Sequence, residues 1–69
     1  MAAIRVIVQP PSPTGGRMVR VGGEILGLAH SLRDVAEFLR RAGLKVDPDD
    51  VPDLPWITWR GGGPDVWGR

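Results

Sequence analysis

The residues best suited to chemistry are four aspartates that fall between positions 47 and 53. A hard cation such as Ca²⁺ needs several oxygen ligands that converge on one point, and clustered carboxylates can supply them. The EF-hand loop also requires glycine at its sixth position and glutamate at its twelfth. Counted from Asp47, these positions hold Pro52 and Thr58. The spacing therefore favours an exposed acidic loop, and the sequence predicts no metal site and no cofactor.

His30 is the one histidine of the chain, and histidine is a residue type that often serves as a general base. A base also needs a substrate group or nucleophile within reach, and the neighbouring Ser31 is better explained as a helix cap. The chain has no cysteine, and no nucleophile elbow surrounds the serine. The glycines near residues 15–27 match neither the P-loop nor the dinucleotide-binding spacing. We therefore expect no enzymatic activity.

All three tryptophans lie in the last fourteen residues, WITWRGGGPDVWGR. Two interpretations of this segment stay open. The glycines would allow the tail to fold back and stack Trp67 on Trp56 or Trp59, or a free tail would offer Trp67 to a partner. Since tryptophan and arginine are enriched among interface hot spots, the candidate partner-binding residues are Trp56, Trp59, Arg60 and Trp67.

Arginines make nucleic-acid binding the second hypothesis, because phosphate contacts need clustered positive charge. A helix-turn-helix would need a recognition helix after residue 43, and proline-rich acidic sequence stands there instead. The pI of about 8.5 is also lower than that of a strongly basic domain. The candidate nucleic-acid-binding residues are Arg17, Arg20, Arg33, Arg40 and Arg41.

Charge is distributed unevenly along the chain. Residues 1–45 carry seven basic and three acidic side chains, and residues 46–69 carry two basic and five acidic ones. The two parts could attract each other within one fold or between two copies. A solvated acidic loop is the simpler interpretation.

Alternating and β-branched residues predict strands near residues 3–9, 17–21, 24–29 and 56–60. Gly22 and Gly23 separate the second and third strands, as in a hairpin with a type I′ or II′ turn. Gly27 interrupts the third strand and is typical of a bulge or a close backbone approach.

An apolar stripe at helical spacing predicts a helix over residues 32–42. Ser31 is placed as its N-cap, with Asp34 three residues later as in a capping box. Gly43 and Leu44 are placed as the C′ and C″ residues of a Schellman motif.

The predicted order β-β-β-α-β indicates an α+β fold: a small, mostly antiparallel sheet with one amphipathic helix packed on one face. Residues 1–60 would form the single domain and residues 61–69 a glycine-rich aromatic C-terminal tail. The strands carry apolar residues on both faces, while one helix can cover only one. An uncovered apolar face usually marks an interface.

These features predict a small non-enzymatic interaction protein with an accessory or regulatory role. Its contact surface would combine the apolar sheet face with the aromatic tail. The partner would be another protein or a second copy, which includes a homodimer. No apolar run is long enough to span a membrane, and no basic region followed by a long apolar stretch begins the chain, so neither a membrane anchor nor a signal peptide is expected. The lack of cysteine fits the cytoplasm.

Overall fold

The structure, a computed structural model, describes residues 4–68. It confirms the α+β fold, with a four-stranded mixed sheet and one helix. The first strand is shorter than predicted, and Ala3, its expected first residue, lies outside the described residues. The elements are β1 (Val6–Val8), β2 (Arg17–Val21), β3 (Glu24–Ala29), α1 (Leu32–Arg41), a 3-10 turn (Val51–Asp53) and β4 (Ile57–Trp59).

The strands lie in the order β3-β2-β1-β4. The pairs β1–β2 and β2–β3 are antiparallel, whereas β4 runs parallel to β1, with Val6 beside Ile57 and Val8 beside Trp59. The last strand therefore enters next to the first, and β3 and β4 form the two edges of the sheet.

The hairpin between β2 and β3 has the predicted two-residue loop, because Val21 pairs with Glu24. Gly22 has a φ of 60° while Gly23 has no positive φ, which is the pattern of a type II′ turn. The register shifts between Val19 and Arg20, so Leu26 is an extra residue in β3. This confirms a bulge beside Gly27, and it changes which residues of β3 share a face.

Local signals set both ends of α1. The Ser31 side chain accepts a hydrogen bond from the Asp34 N–H at 3.3 Å. The Asp34 carboxylate accepts from the N–H of His30 at 2.9 Å, one residue earlier than in a standard capping box. At the other end, Gly43 and Leu44 donate to the carbonyls of Arg40 and Leu39, the bonding pattern of the predicted Schellman motif.

The hydrophobic core lies between the sheet and α1. Alternation along the strands directs Val6, Val8 and Val19 towards the helix, where they are fully buried. Burial of such side chains stabilises a fold by about 1.5–3 kcal/mol each. The remaining buried apolar residues are Ala29, Val35, Ala36, Leu39, Val51 and Ile57.

The opposite side of the sheet has no covering layer among residues 4–68, and we call it the open face. Its members follow from strand pairing: Met18 is paired with Leu28, and Arg20 with both Ile7 and Ile25. Thr58 lies beside Ile7 on β4. As predicted, this face also carries apolar side chains, which lie beside Arg20 and Thr58. No helix among the described residues has the length and apolarity needed to cross a membrane.

Candidate functional site

A buried arginine lies at the centre of the contact between the tail and the domain. Arg17, the first residue of β2, has an exposed fraction of 0% and is the largest fully buried side chain described. A guanidinium has five N–H donors, and each of the five here donates to a backbone carbonyl. The acceptors are Gln9 (2.8 Å from Nε), Arg60 and Gly62 (2.7 and 2.9 Å from Nη2), and Gly63 and Val66 (both 2.7 Å from Nη1).

Two tryptophan rings complete the enclosure of this guanidinium. The Arg17 Cζ atom lies 5.3 Å from the ring centroid of Trp59 and 5.7 Å from that of Trp67. The two indoles meet edge to face, with centroids 6.0 Å apart. A cation over an indole face gains about 0.5–2 kcal/mol, depending on its desolvation. We call Arg17, Trp59, Trp67 and the carbonyls that accept hydrogen bonds from Arg17 the arginine cluster.

The positive charge of Arg17 is balanced without a carboxylate. Among residues 4–68 the one salt bridge joins Arg41 to Glu37, and Arg17 takes no part in it. Burial lowers the pKa of the Arg17 guanidinium below its ordinary value, because desolvation disfavours the charged form. The group remains charged at neutral pH, and carbonyl dipoles and indole faces surround it in place of water.

The conformation and packing of the tail explain why glycine occupies position 61. Gly61 has a φ of 73°, and a Cβ there would lie 2.7 Å from the Pro10 Cβ. The chain can therefore turn tightly against Pro10 and direct successive carbonyls at Arg17. The N–H of Arg60 continues the pairing of β4 by donating to Val8, and Gly16 donates to the Trp67 carbonyl at 3.1 Å.

Of the two arrangements that the sequence left open, the structure has the docked tail, with Trp67 against Trp59. The candidate partner-binding residues are thus partly brought together. Trp59, Trp67 and the Arg60 carbonyl belong to the arginine cluster, and the rings are half-buried within their own chain. Trp56 is also half-buried and packs against the hydrophobic core. Arg69, the last residue of the predicted tail, lies outside the described residues.

The five candidate nucleic-acid-binding arginines do not form one surface. The prediction that Arg17 contacts nucleic acid is wrong, because its guanidinium is buried and all five of its N–H donors are already paired with backbone carbonyls. Arg20 lies on the open face, on the opposite side of the sheet from α1. The other three are exposed on α1, where Arg41 pairs with Glu37 at 2.9 Å and Arg40 donates to the Val46 carbonyl. The predicted positive charge is therefore divided between two opposite sides of the molecule.

The four aspartates are exposed and lie on the loop and 3-10 turn between α1 and β4. Asp47 Oδ1 accepts the N–H of Asp49 at 2.9 Å, so this carboxylate organises the loop backbone. Within residues 4–68, no three acidic, histidine or cysteine side chains are grouped so that they could hold a metal ion. His30 is exposed at the junction of β3 and α1.

The open face is the remaining candidate surface. Met18, Ile25 and Leu28 are 37%, 58% and 42% exposed, and Ile7 lies among them on the central strand. Alternation in the sequence indicates that Ile7 lies opposite Val6 and Met18 opposite Val19, but it does not reveal that Ile25 and Leu28 share a face with them. These two are three positions apart and share a face because of the extra residue in the bulge, for which Gly27 was the available signal.

Comparison of the chain with protein-family models, with curated proteins and with solved structures finds no match in any of the three. Two features stand out on their geometry: the arginine cluster, which is closed by the chain itself, and the open face, which is not.

Proposed function

We propose that this chain is a small, non-enzymatic protein–protein interaction module that acts in the cytoplasm as an accessory or regulatory protein. Its contact surface in this proposal is the open face. The observation that carries the proposal is the exposure of three large apolar side chains, Met18, Ile25 and Leu28, on one side of an ordered sheet. Grouped apolar side chains of this kind usually mark a binding site, since their exposure to water is unfavourable.

The geometry of the open face favours recognition of a protein segment. Met18 and Leu28 are directly paired on neighbouring strands, and Ile7 and Ile25 stand on either side of Arg20. Paired side chains on one face lie about 4.5–5.5 Å apart between Cβ atoms, so these residues form a continuous surface. Because the strands are held in register by the sheet, binding would require little ordering of the surface, which favours affinity.

The charge of the open face indicates the chemistry of the partner. Arg20 is its one charged member on the paired strands, and Arg5 precedes β1 at a position that alternates with buried Val6. A partner that presents apolar side chains with acidic neighbours would complement both properties. The docked tail favours this face over the tryptophans as the contact surface, since Trp59 and Trp67 already contact Arg17.

Site-specific photo-cross-linking tests the proposal. A photoreactive amino acid is placed at Ile25 and, as the matched control, at Glu37, which is exposed on α1 on the opposite side of the molecule. In the native host we expect a discrete higher-mass adduct from position 25 and none from position 37. Mass spectrometry of the adduct then shows whether the partner is another protein or a second copy. Circular dichroism confirms that both variants are folded.

The same adducts from both positions would contradict the proposal, because they would report random collisions. The absence of any adduct at position 25, and also at position 28, would contradict it as well. A double variant, Ile25→Lys with Leu28→Lys, should remove the interaction while the fold stays intact, because both side chains are largely exposed.

A further inference from the structure

The outer edge of β3 is open to pairing. β3 is the longest strand and hydrogen-bonds to β2 on one side, and among residues 4–68 no strand pairs with its other side. Proteins usually protect such edges with lysine, proline or inward-pointing charge. Residues 25–29 of β3 read Ile-Leu-Gly-Leu-Ala and contain none of these, so the bulge at Leu26 is the one protective feature within them.

We propose that a second copy of this chain docks on this edge, with the two β3 strands antiparallel about a two-fold axis beside Gly27. The two four-stranded sheets then join into one sheet of eight strands. This inference rests on the proposed function, because it names a second copy as a partner. It also enlarges the open face, since the two open faces become continuous on the same side of the joined sheet.

On the open-face side, the residues of β3 are complementary to themselves. Ile25 and Leu28 lie on either side of the bulge and are both largely exposed. An antiparallel pairing whose two-fold axis passes between Leu26 and Gly27 places Ile25 of one copy opposite Leu28 of the other, twice. The interface therefore gains two apolar cross-strand pairs, and such pairs stabilise sheets by about 0.2–1 kcal/mol each.

On the helix side, the charges are also complementary. The Phe38 ring lies against Gly27, where an added Cβ would be 2.8 Å from the Phe38 Cζ, so this side of α1 faces β3. Asp34 precedes Phe38 by four residues and Arg41 follows it by three, which places both on the same side of the helix. A two-fold axis beside Gly27 also makes the two copies of α1 antiparallel to each other. Asp34 of each copy then lies towards Arg41 of the other, which favours this pairing over a parallel one.

Cysteine cross-linking tests both the interface and its register, since the chain has no cysteine of its own. Single variants Ile25→Cys and Leu28→Cys are oxidised mildly, each alone and then as an equal mixture. The proposal expects a disulfide-linked dimer of one Ile25→Cys chain with one Leu28→Cys chain. Each variant alone should link poorly, because the bulge leaves like positions offset by two pairing positions, about 7 Å, along the strands, with a strand spacing of about 5 Å between them in addition. A disulfide needs Cα atoms within about 7 Å.

Two outcomes overturn the inference. Efficient linking of each variant alone would indicate that the sheets stack face to face. No linking in the mixture, with a monomer mass by light scattering at high protein concentration, would show that the edge is unused. In that case an adduct of position 25 with another protein would leave the proposed function standing, so the two failures are distinguishable.

A charge reversal tests the helix side of the same interface. Arg41→Glu should raise the dimer dissociation constant about tenfold, because two weak attractions become repulsions. Arg33→Glu is the matched control, since Arg41 lines the groove between β3 and α1 whereas Arg33 does not, and it should leave the constant unchanged within about twofold. Equal effects of the two reversals in analytical ultracentrifugation would overturn the role assigned to Arg41.

Discussion

Arg17 shows how a single side chain can organise a segment that has no regular secondary structure. The tail forms no strand or helix within residues 61–68, and three of its own carbonyls, with that of Arg60, still have a partner. Buried carbonyls need such partners, because an unsatisfied polar group costs about 1–3 kcal/mol. The planar guanidinium supplies five donors in one fork, whereas a lysine ammonium has three and cannot be planar.

Replacing Arg17 with lysine should therefore destabilise the protein strongly. We expect Arg17→Lys to lower the free energy of unfolding by about 3 kcal/mol, since it leaves buried carbonyls unpaired and removes the planar contact with both indoles. Urea denaturation followed by tryptophan fluorescence measures the loss. The matched control is Arg20→Lys in the same strand, with an expected change within about 0.5 kcal/mol. Equal losses in the two variants would contradict the role given to Arg17.

At the scale of elements, the tail and the hairpin use glycine for different reasons. Gly61 adopts a positive φ against Pro10, and this turn begins the path of the tail around Arg17. Gly23 closes the hairpin without a positive φ, and no atom lies within 4 Å of the position a Cβ would take. The tail therefore depends on its glycine sterically, while the hairpin leaves room for a side chain at its second glycine.

This difference predicts opposite outcomes for one substitution. Gly61→Ala should lower the free energy of unfolding by about 2 kcal/mol, because it combines an unfavourable φ with a clash at Pro10. Gly23→Ala should be neutral or stabilising by about 0.4–1 kcal/mol, because it reduces the entropy of the unfolded chain.

Hydrogen exchange can locate the effect of Gly61→Ala. The Gly16 N–H donates to the Trp67 carbonyl, so it should lose protection when the tail is released. If Gly16 stays protected while Gly61→Ala destabilises the whole domain equally, the tail does not release as a separate unit.

At the scale of the whole molecule, the uneven charge does not hold the fold together. The four aspartates between positions 47 and 53 are exposed, and within residues 4–68 none of them forms a salt bridge. The one ion pair in the described part of the chain, Arg41 with Glu37, is exposed on the helix, and such pairs contribute about 0.3–0.5 kcal/mol. Stability therefore comes from the hydrophobic core and the arginine cluster. Both are buried, so dissolved salt weakens their interactions only slightly.

The free energy of unfolding should accordingly depend little on ionic strength. Between about 0.02 and 0.5 M NaCl we expect a change below about 0.5 kcal/mol, because screening acts mainly on exposed charges. Urea denaturation at dilute protein concentration measures it without a contribution from self-association. A change above about 1 kcal/mol would show that the acidic and basic parts do attract each other within the fold.

Local patterns account for the features that the sequence predicted well. Ser31 and Gly43 bound the helix through hydrogen bonds that span three to five residues, so their signals are complete within a short stretch. The Gly22–Gly23 turn is equally local, and the bounds of β2 and β3 match those expected. These elements with their apolar stripes were sufficient to indicate an α+β sheet with one uncovered face.

The environment of Arg17 was not predictable in the same way. Its acceptors from Arg60 onwards lie 43 to 49 residues away along the chain. They are backbone carbonyls, which every residue carries, so the residue types in the tail do not indicate which carbonyls will accept these hydrogen bonds. Nothing in the local sequence indicates that Arg17 is buried while Arg20, three residues later on the opposite face of the same strand, is not. Both were therefore candidate phosphate-binding residues. The parallel pairing of β4 with β1, which brings the tail to Arg17, is a contact of the same long range.

The sequence by itself thus determined the helix and its caps, the hairpin, the number of layers and the apolar character of both sheet faces. Each of these follows from periodicity or from bonds between near neighbours, whose energies act before the chain is assembled. Only the tertiary structure decided what WITWRGGGPDVWGR does in this protein. β4 had to lie beside β1, and the buried donors of Arg17 had to find acceptors, before the glycines and tryptophans could close around a guanidinium that stands near the other end of the chain.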